Sequence, residues 1–534
     1  MLGDTATVGE VLKHQALSRG DHPLLVCDED RISYSNAEAR SGELAGGLIA
    51  AGAGKGTHVG LLYPNGPEFV VAMLAAARIG AVVVPFSTFV TARELREQLL
   101  DSDVEILLSA PSFRTHDYLQ RLEQLLSDAD FGSDRRLFSP ATPQLRQVGI
   151  SHRPDAVRRV RDIGRFYRLA ATVDRELLAA TQDDVRGCDP LAIVYTSGST
   201  SSPKGAVHTH AGLLGHQRDL NEIRGLTPDD KLFCNSPFFW IGGFAFGLLA
   251  TLVAGSTLVC SNASDAGETL DVLEAERPTM TNGFSAGITH LAEHPSFPGR
   301  DLSSMRRGNL YPIMAPGVRP ADPELRHNML GMTEAGSVVL LSGDETDQPE
   351  IRRGSFGKPA PGFDTKIIDT ETGEPVAAGD VGELCIRGPY LMQRYYGRSR
   401  EECFDADGWF HSGDLVRADA DGFFYYLGRL GTMIKTAGAN VSAAEVERAI
   451  ARVTGGLTAH VVGVPDVRRG QLVAAAVVVP DVAAFDAAAL RDRLKAELSS
   501  YKIPRRFVAV PRSQLPLLSS GKVDMRRLRD LLNA

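Results

Sequence analysis

Residues 191–210, LAIVYTSGSTSSPKGAVHTH, carry the densest chemistry in the chain. An apolar run of strand type, 191–195, gives way to Thr196, Ser197, Gly198, Ser199, Thr200, Ser201, Ser202, Pro203, Lys204 and Gly205. Six hydroxyls, two glycines and one lysine within ten residues suit a polyphosphate. Hydroxyls and exposed backbone N–H groups donate to phosphate oxygens, and Lys204 adds a point charge. A Walker A loop needs a glycine directly before its lysine; Pro203 stands there, which excludes that form of the loop. A flexible Ser/Gly linker is the plain alternative, but a linker has no reason to set a lysine between proline and glycine straight after a buried strand.

This segment resembles the signature of the acyl-adenylate-forming superfamily, which includes acyl-CoA synthetases, firefly luciferase and the adenylation domains of non-ribosomal peptide synthetases. The resemblance covers nearly the whole chain and rests on several motifs in order. The family loop usually has Gly where Ser201 stands. In GMTEAG, 331–336, the resemblance implies that Gly331 lies at the nucleotide, that Thr333 contacts the α-phosphate and that Glu334 helps to hold Mg²⁺. A hard cation wants oxygen ligands and takes one or two carboxylates alongside phosphates. Leu330 stands where an aromatic residue usually stacks on adenine, and the stretch 316–330 is shorter than the family pattern. DGWFHSGDLV, 407–416, resembles the ribose motif and assigns Asp414 to both ribose hydroxyls; Asp407–Gly408 reads as a turn. GRLGTMIKTAGANVSAAEVE, 428–447, resembles the hinge and the start of a small domain, with Arg429 reaching the ribose. Gly431 replaces the usual Asp or Lys of the hinge, and glycine absorbs large backbone rotations. Within the same stretch, the resemblance places Lys435 and Gly438 at a tunnel for the thiol of the second step. Lys522, in LPLLSSGKVDMRRLR, matches the adenylation lysine: a cation bridging a carboxylate and an α-phosphate offsets their repulsion.

SPFFWIGGF, 236–244, resembles the segment lining the acyl site. Phe239 and Trp240 are bulky there, Trp240 where many members have His, and Gly242 and Gly243 are expected to leave space. Gly283 and Phe284 form a second wall. Core packing explains the aromatics equally well. No aspartate lies between Asn235 and Phe244, which disfavours an amino-acid substrate. Residues 283–287 also spell G-x-S-x-G, the hydrolase nucleophile elbow, so a serine esterase using Ser285 is a competing class. It leaves the phosphate loop, GMTE, SGD and GK unexplained. A non-catalytic nucleotide binder on the same fold is a third possibility, opposed by the intact Lys204, Glu334, Asp414 and Lys522.

The expected activity is therefore acid–thiol ligation. ATP and Mg²⁺ drive formation of an acyl-AMP from a fatty or other hydrophobic acid, and coenzyme A takes the acyl group. The alternative acceptor is a carrier protein. Coenzyme A leads because the chain ends a dozen residues after Lys522, with no appended carrier domain.

The elements that must position these groups read as α/β. A strand at 59–62, a helix near 67–79 and a strand at 81–85 alternate in the manner of buried parallel strands. Residues 112–185, rich in Arg, Asp and Ser, read as a variable surface excursion. The run 246–259 reads as a buried helix leading into a strand. The resemblance implies a large domain, 1–430, of helix-covered sheets with a small β-barrel-like part. A small mobile α+β domain, 431–534, follows. In it a helix over 442–453 starts at Ser442, with Glu445 three residues on. Strands follow at 458–464 and 472–479, a helix at 485–498 and a strand at 507–510.

The net charge of −9 opposes a nucleic-acid surface. Arg153, Arg158, Arg159, Arg161, Arg165 and Arg168 form one basic stretch, a solvated face or an anionic membrane contact. Six cysteines without a C-x-x-C pair, and an N-terminus without signal-peptide character, point to a reducing cytoplasm.

Overall fold

Short, β-branched runs bounded by glycine and polar residues become parallel strands. The computed structural model describes residues 5–127, 135–151, 162–196, 203–283, 288–430, 433–516 and 523–533. Contacts divide the chain into two units. The first comprises Met1–Thr88, Leu99–Tyr195 and Gly205–Gly428, the second Phe89–Gln98, Thr196–Lys204 and Arg429–Ala534.

The first unit is built on two large sheets. A seven-stranded sheet runs in the order Arg394–Tyr395, Lys204–Thr209, Pro190–Thr196, Val82–Pro85, His58–Leu62, Ile106–Ser109 and Gln147–Ile150. A six-stranded sheet has the parallel order Arg307–Gly308, Met280–Asn282, Lys231–Cys234, Thr257–Cys260 and Pro23–Cys27, closed by antiparallel Asp30–Ser33. The helix Pro67–Ala77 is apolar on every side beyond Glu68 in its first turn, as a helix enclosed by the core must be, and starts with proline at its first position. It packs into a core with the helices Val8–Arg19 and Tyr34–Ala50. Besides a two-stranded ribbon, Ser112–Phe113 with His116–Asp117, the unit has two smaller antiparallel sheets. One has the order Leu330–Met332, Ser337–Leu341, Lys358–Pro359, the other Asp364–Ile368, Gly382–Arg387, Phe410–Ala418, Phe424–Arg429. They share a second apolar core containing Leu330, Phe246 and Tyr395.

The span 112–185 is less peripheral than its composition indicates. Gln147–Ile150 is a wholly buried strand, parallel to Ile106–Ser109. Phe166 is buried, and its helix Gly164–Ala170 crosses Tyr34–Ala50 so closely that a Cβ on Gly47 would collide with the Phe166 carbonyl. A three-residue apolar window and one phenylalanine are too small a signal among so many charges. The run 246–259 does pass from helix to strand, but its first part is π-helical, Gly242–Leu249. The chain then continues through Ala250–Ala254 and left-handed Gly255 into Thr257–Cys260.

In the second unit the strand Gly470–Val478 is central, paired with Ala459–Asp466, Arg506–Val510 and Met433–Thr436. Ser442 caps the helix Ala443–Thr454 by accepting from Glu445 N at 3.3 Å. The strands and helices expected after it are present, the second helix shortened to Ala487–Leu494. Among the described residues, no helix is long and apolar enough to cross a membrane.

Candidate active site

The strand Lys204–Thr209 fixes one side of the site, because Ala206 and Val207 pair with Tyr395 and Arg394. Backbone bonds from Gln393 N to Val207 O and from Tyr396 N to Gly205 O, 2.8 and 2.7 Å, lock that register. Met392 N donates to Glu334 O at 2.7 Å, so the same segment also holds the GMTE turn. Thr333 and Glu334 lie in a single 3-10 turn between the strands Leu330–Met332 and Ser337–Leu341, ended by left-handed Gly336.

Two buried side chains that motif reading missed hold this turn. Tyr395 Oη donates to Glu334 Oε1 at 2.6 Å. His208 Nε2 lies 2.7 Å from Thr333 O; a carbonyl only accepts, so Nε2 carries the proton. Burial pushes the His208 imidazole down to about 4, against the raising effect of that bond, and it is neutral at physiological pH. Glu334 is buried, yet among the described residues no donor takes Oε2. One carboxylate oxygen, oriented and unspent, is what a hard cation such as Mg²⁺ requires from the protein when phosphates supply further ligands. Thr333 is half-buried and Gly331 exposed, while Leu330 sits in the second core beside Phe246.

Asp414 is buried on the strand Phe410–Ala418. Its N–H donates to Ser412 Oγ at 3.1 Å, and Ser412 Oγ donates to Leu384 O at 2.6 Å. Glu383 takes the Gly413 N–H at 2.8 Å and lies 3.1 Å from His411 Nδ1; Asp405 lies 3.5 Å from His411 Nε2. Glu383, Cys385 and His411 bring three metal-ligand atoms within 4.8 Å. Both imidazole nitrogens already face carboxylates, so the cluster is a hydrogen-bonded brace for the Asp414 strand.

The expected acyl segment is clamped by Asn65. Its Nδ2 donates to Ser236 O at 3.1 Å and its Oδ1 accepts from Phe238 N at 2.8 Å. Phe239 is buried, Trp240 is half-buried, and their rings meet edge to face with centroids 5.3 Å apart. The two glycines differ. A Cβ at Gly243 would collide with the Pro237 carbonyl, so that position serves close packing, whereas at Gly242 it would meet only Ser236 Oγ at 3.7 Å. The space expected from both therefore comes from Gly242. Gly283 N donates to Asn309 Oδ1 at 3.2 Å and Gly283 O accepts from Asn309 Nδ2 at 2.8 Å. A Cβ there would collide with the Asn235 side chain, which fixes glycine at this wall.

Thr196 ends the strand Pro190–Thr196 and Lys204 opens Lys204–Thr209; both are half-buried. Arg429 ends the strand Phe424–Arg429, also half-buried. In the second unit Lys435 is exposed on Met433–Thr436. Ala437 and Gly438, at φ 47° and 83°, make a two-residue turn into Ala439–Ser442. Positive φ at both central positions is the type I′ hairpin turn, which favours glycine. Ser197, Gly198, Ser199, Thr200, Phe284, Ser285, Gly431 and Lys522 lie outside the described residues.

Comparison with known proteins identifies the family. Residues 12–396 match the family model described as AMP-binding enzyme, and 445–522 match the AMP-binding enzyme C-terminal domain. A feruloyl-CoA synthase of Amycolatopsis is 31% identical over 92% of this chain and 92% of its own. A methyl-dioxo-octahydroindenyl-propanoyl:CoA ligase of Mycobacterium tuberculosis is 31% identical over 99% of this chain and 100% of its own. Among solved structures, the amide bond synthetase McbA of Marinactinospora thermotolerans superposes with a TM-score of 0.78, covering 98% of this chain and 99% of its own. At 24% identity that likeness concerns the fold alone.

Proposed function

The chain belongs to the AMP-binding enzyme family and is an acid–CoA ligase that forms AMP, and on that premise we propose that its substrate is a fatty or other hydrophobic carboxylic acid. A carboxylate oxygen of the acid attacks the α-phosphorus of ATP, and pyrophosphate leaves. The sulfur of coenzyme A then attacks the acyl carbonyl, its proton passes to solvent, and AMP leaves.

The observation that supports the adenylation chemistry is the oriented carboxylate of Glu334, held through Oε1 by Tyr395, with no donor to Oε2 among the described residues. Mg²⁺ bound there would neutralise charge on the phosphate oxygens during transfer. Thr333 is assigned to the α-phosphate, Lys204 and the hydroxyls Thr196, Ser197, Ser199 and Thr200 to the polyphosphate, and Asp414 and Arg429 to the ribose. Lys522 is assigned to the bridge between the attacking carboxylate and the α-phosphate. Residues 1–430 form the adenylating domain and 431–534 the domain that brings Lys522 and then Gly438 to the reaction. Support for a hydrophobic acid comes from Phe239, Trp240 and the small Gly242. The relatives named for feruloyl-CoA and for a methyl-dioxo-octahydroindenyl-propanoyl-CoA, both ring-bearing acyl groups, support a bulky acid.

The test is acid-dependent ATP–pyrophosphate exchange by purified protein with a panel of fatty and aromatic acids, with and without Mg²⁺, followed by coenzyme A thioester formation. Exchange that requires both acid and Mg²⁺ is expected. Ester hydrolysis without exchange would transfer the assignment to Ser285.

A further inference from the structure

His411 faces two carboxylates and a thiol at once. It stands on the strand Phe410–Ala418, directly across from Cys385 on Gly382–Arg387. The register of the two strands shifts between Glu383 and Cys385, near left-handed Gly413, and a bulge of this kind re-aims the side chains beside it. His411 Nδ1 lies 3.1 Å from Glu383 Oε2 and 3.6 Å from Cys385 Sγ, and Nε2 lies 3.5 Å from Asp405 Oδ2. A neutral imidazole carries one proton, so it can donate to one carboxylate only and turns a lone pair toward the other. As a brace the cluster is satisfied by a second proton on the ring. A cation held at Nδ1 satisfies it equally, with the ring proton at Nε2 toward Asp405.

The separations are those of a coordination shell. Zinc takes nitrogen and oxygen at about 2.1 Å and sulfur at about 2.3 Å in a tetrahedron, which sets N and O about 3.4 Å apart and N and S about 3.6 Å apart. The ligand atoms of Glu383, Cys385 and His411 all lie within 4.8 Å of one another. The outer contacts that a metal site needs are in place as well. A carboxylate behind the second imidazole nitrogen is the usual support of a metal-bound histidine, and Asp405 stands there. Asp405 is itself fixed, because its Oδ1 accepts from Trp409 N at 2.8 Å and from Asp407 N at 3.0 Å, and Lys366 Nζ lies 3.7 Å from its Oδ2. Glu383 Oε1 accepts from Gly413 N at 2.8 Å, which orients Oε2 toward His411. Cys385 and Glu383 are buried, whereas the His411 side chain is 43% exposed, so an ion has a way in and a water can complete the tetrahedron.

We propose that Glu383, Cys385 and His411 form a binding site for a zinc-type divalent cation, with a water as fourth ligand, and that the ion fastens together the two strands beneath Asp414. A thiolate and an imidazole select such an ion over Mg²⁺, which prefers oxygen ligands alone. Coordination takes Cys385 as the thiolate and releases its proton to solvent, while His411 keeps its proton at Nε2. The site is separate from the Mg²⁺ assigned to Glu334, and it rests on the fold rather than on the ligase reading.

The experiment titrates the full-length protein, stripped with a chelator, with Co²⁺ as a spectroscopic stand-in for Zn²⁺. One equivalent should give the visible absorption of tetrahedral cobalt together with a near-ultraviolet thiolate-to-cobalt charge-transfer band. Zn²⁺ should bleach both, and Mg²⁺ should not. Cys385→Ser should abolish the charge-transfer band, and His411→Ala, at an exposed position that tolerates truncation, should lose both signals. Asp405→Asn keeps the acceptor for Trp409 and should weaken Co²⁺ binding roughly tenfold to a hundredfold. Cys188→Ser, which removes an exposed thiol elsewhere, should leave both signals intact. Zn²⁺ should also raise the melting temperature of wild type and not that of Cys385→Ser or His411→Ala, whose melting without metal checks their folding. Octahedral cobalt alone in wild type, or a charge-transfer band that survives in both Cys385→Ser and His411→Ala, overturns the proposal.

Discussion

Tyr395 donates to Glu334 at 2.6 Å from sixty-one residues away, and it does so from the strand that pairs with Ala206 and Val207 just after the phosphate loop. The contact ties the loop's exit strand to the carboxylate assigned to Mg²⁺. Tyr395→Phe removes the hydroxyl and keeps the ring in the second core. Losing such a support behind a metal ligand costs roughly tenfold to a hundredfold in metal affinity or activity. The expected outcome is a higher Mg²⁺ concentration for half-maximal ATP–pyrophosphate exchange, with an unchanged melting profile. An unaltered Mg²⁺ dependence would separate Tyr395 from the metal.

The first-step prediction concerns Lys522. Lys522→Ala should slow adenylate formation by roughly two to three orders of magnitude, the usual cost of removing one transition-state electrostatic partner. Thioester formation from a supplied acyl-adenylate should fall far less, because the proposed role confines the lysine to the attack on phosphorus. Measuring the two half-reactions separately checks this; equal losses would mean a structural rather than an electrostatic role.

What the sequence made legible is contiguous. The candidate phosphate segment, the GMTE turn and the Asp414 segment stand out in the sequence because hydroxyls, glycines and a carboxylate stand within a few residues of one another. The supports are not contiguous. Nothing near Tyr395, His208, Glu383 or Asn309 in the chain names the partner that each finds in space. Likewise, a buried strand of four residues, Gln147–Ile150, adds its edge to a sheet whose other strands supply the hydrophobic signal. Alternating strands and helices specify the α/β class through period alone, whereas Gly242 and Gly243 look identical in sequence. Only packing separates the glycine that leaves room from the one filled by the Pro237 carbonyl.

Lys502 provides a pH-dependent stability test within the second unit. Its Nζ lies 2.9 Å from Glu94 and 2.8 Å from Glu445, and Glu94 also accepts from Ser499 Oγ at 2.7 Å. Burial opposes charge on Lys502, but Tyr501 and the two glutamates outweigh it and raise its pKa. Burial likewise opposes charge on Glu94, and Lys502 with Ser499 outweighs it, so its pKa is lowered. A lowered carboxyl contributes stability above its unfolded value, about 4.3, that is lost as pH falls through the folded value. A raised ammonium contributes stability below its unfolded value, about 10.4, that is lost as pH rises through the folded value. Both contributions are thus present near neutrality. Lys502→Met should leave buried Glu94 and half-buried Glu445 without their shared cation and cost about 3–5 kcal/mol at pH 7. Urea denaturation from pH 7 to pH 3 should show the gap narrowing as the carboxyls protonate; a gap that stays constant would rule out the ionic account.

Gly438 separates the two chemical steps. It occupies the second central position of the Ala437–Gly438 turn, at φ 83°, on the hairpin that also carries exposed Lys435. The second step is assigned to this loop by its resemblance to the family's, and a glycine at the tip of the hairpin would let a narrow pantetheine arm pass close to backbone. A bulky side chain there should block the passage and leave ATP chemistry untouched, because the turn holds none of the groups assigned to phosphate or ribose. Gly438→Trp should therefore keep acid-dependent ATP–pyrophosphate exchange and lose acyl-CoA formation. The left-handed conformation adds a strain of about 1–2 kcal/mol for a residue with a side chain. Gly438→Ala, which carries that strain without the bulk, isolates it and should keep most of the thioester rate. Separating the two readouts is required, since a loss seen only in the overall rate would not distinguish binding from the second step. If wild type releases acyl-CoA and Gly438→Trp matches it in that step, the thiol does not pass this turn.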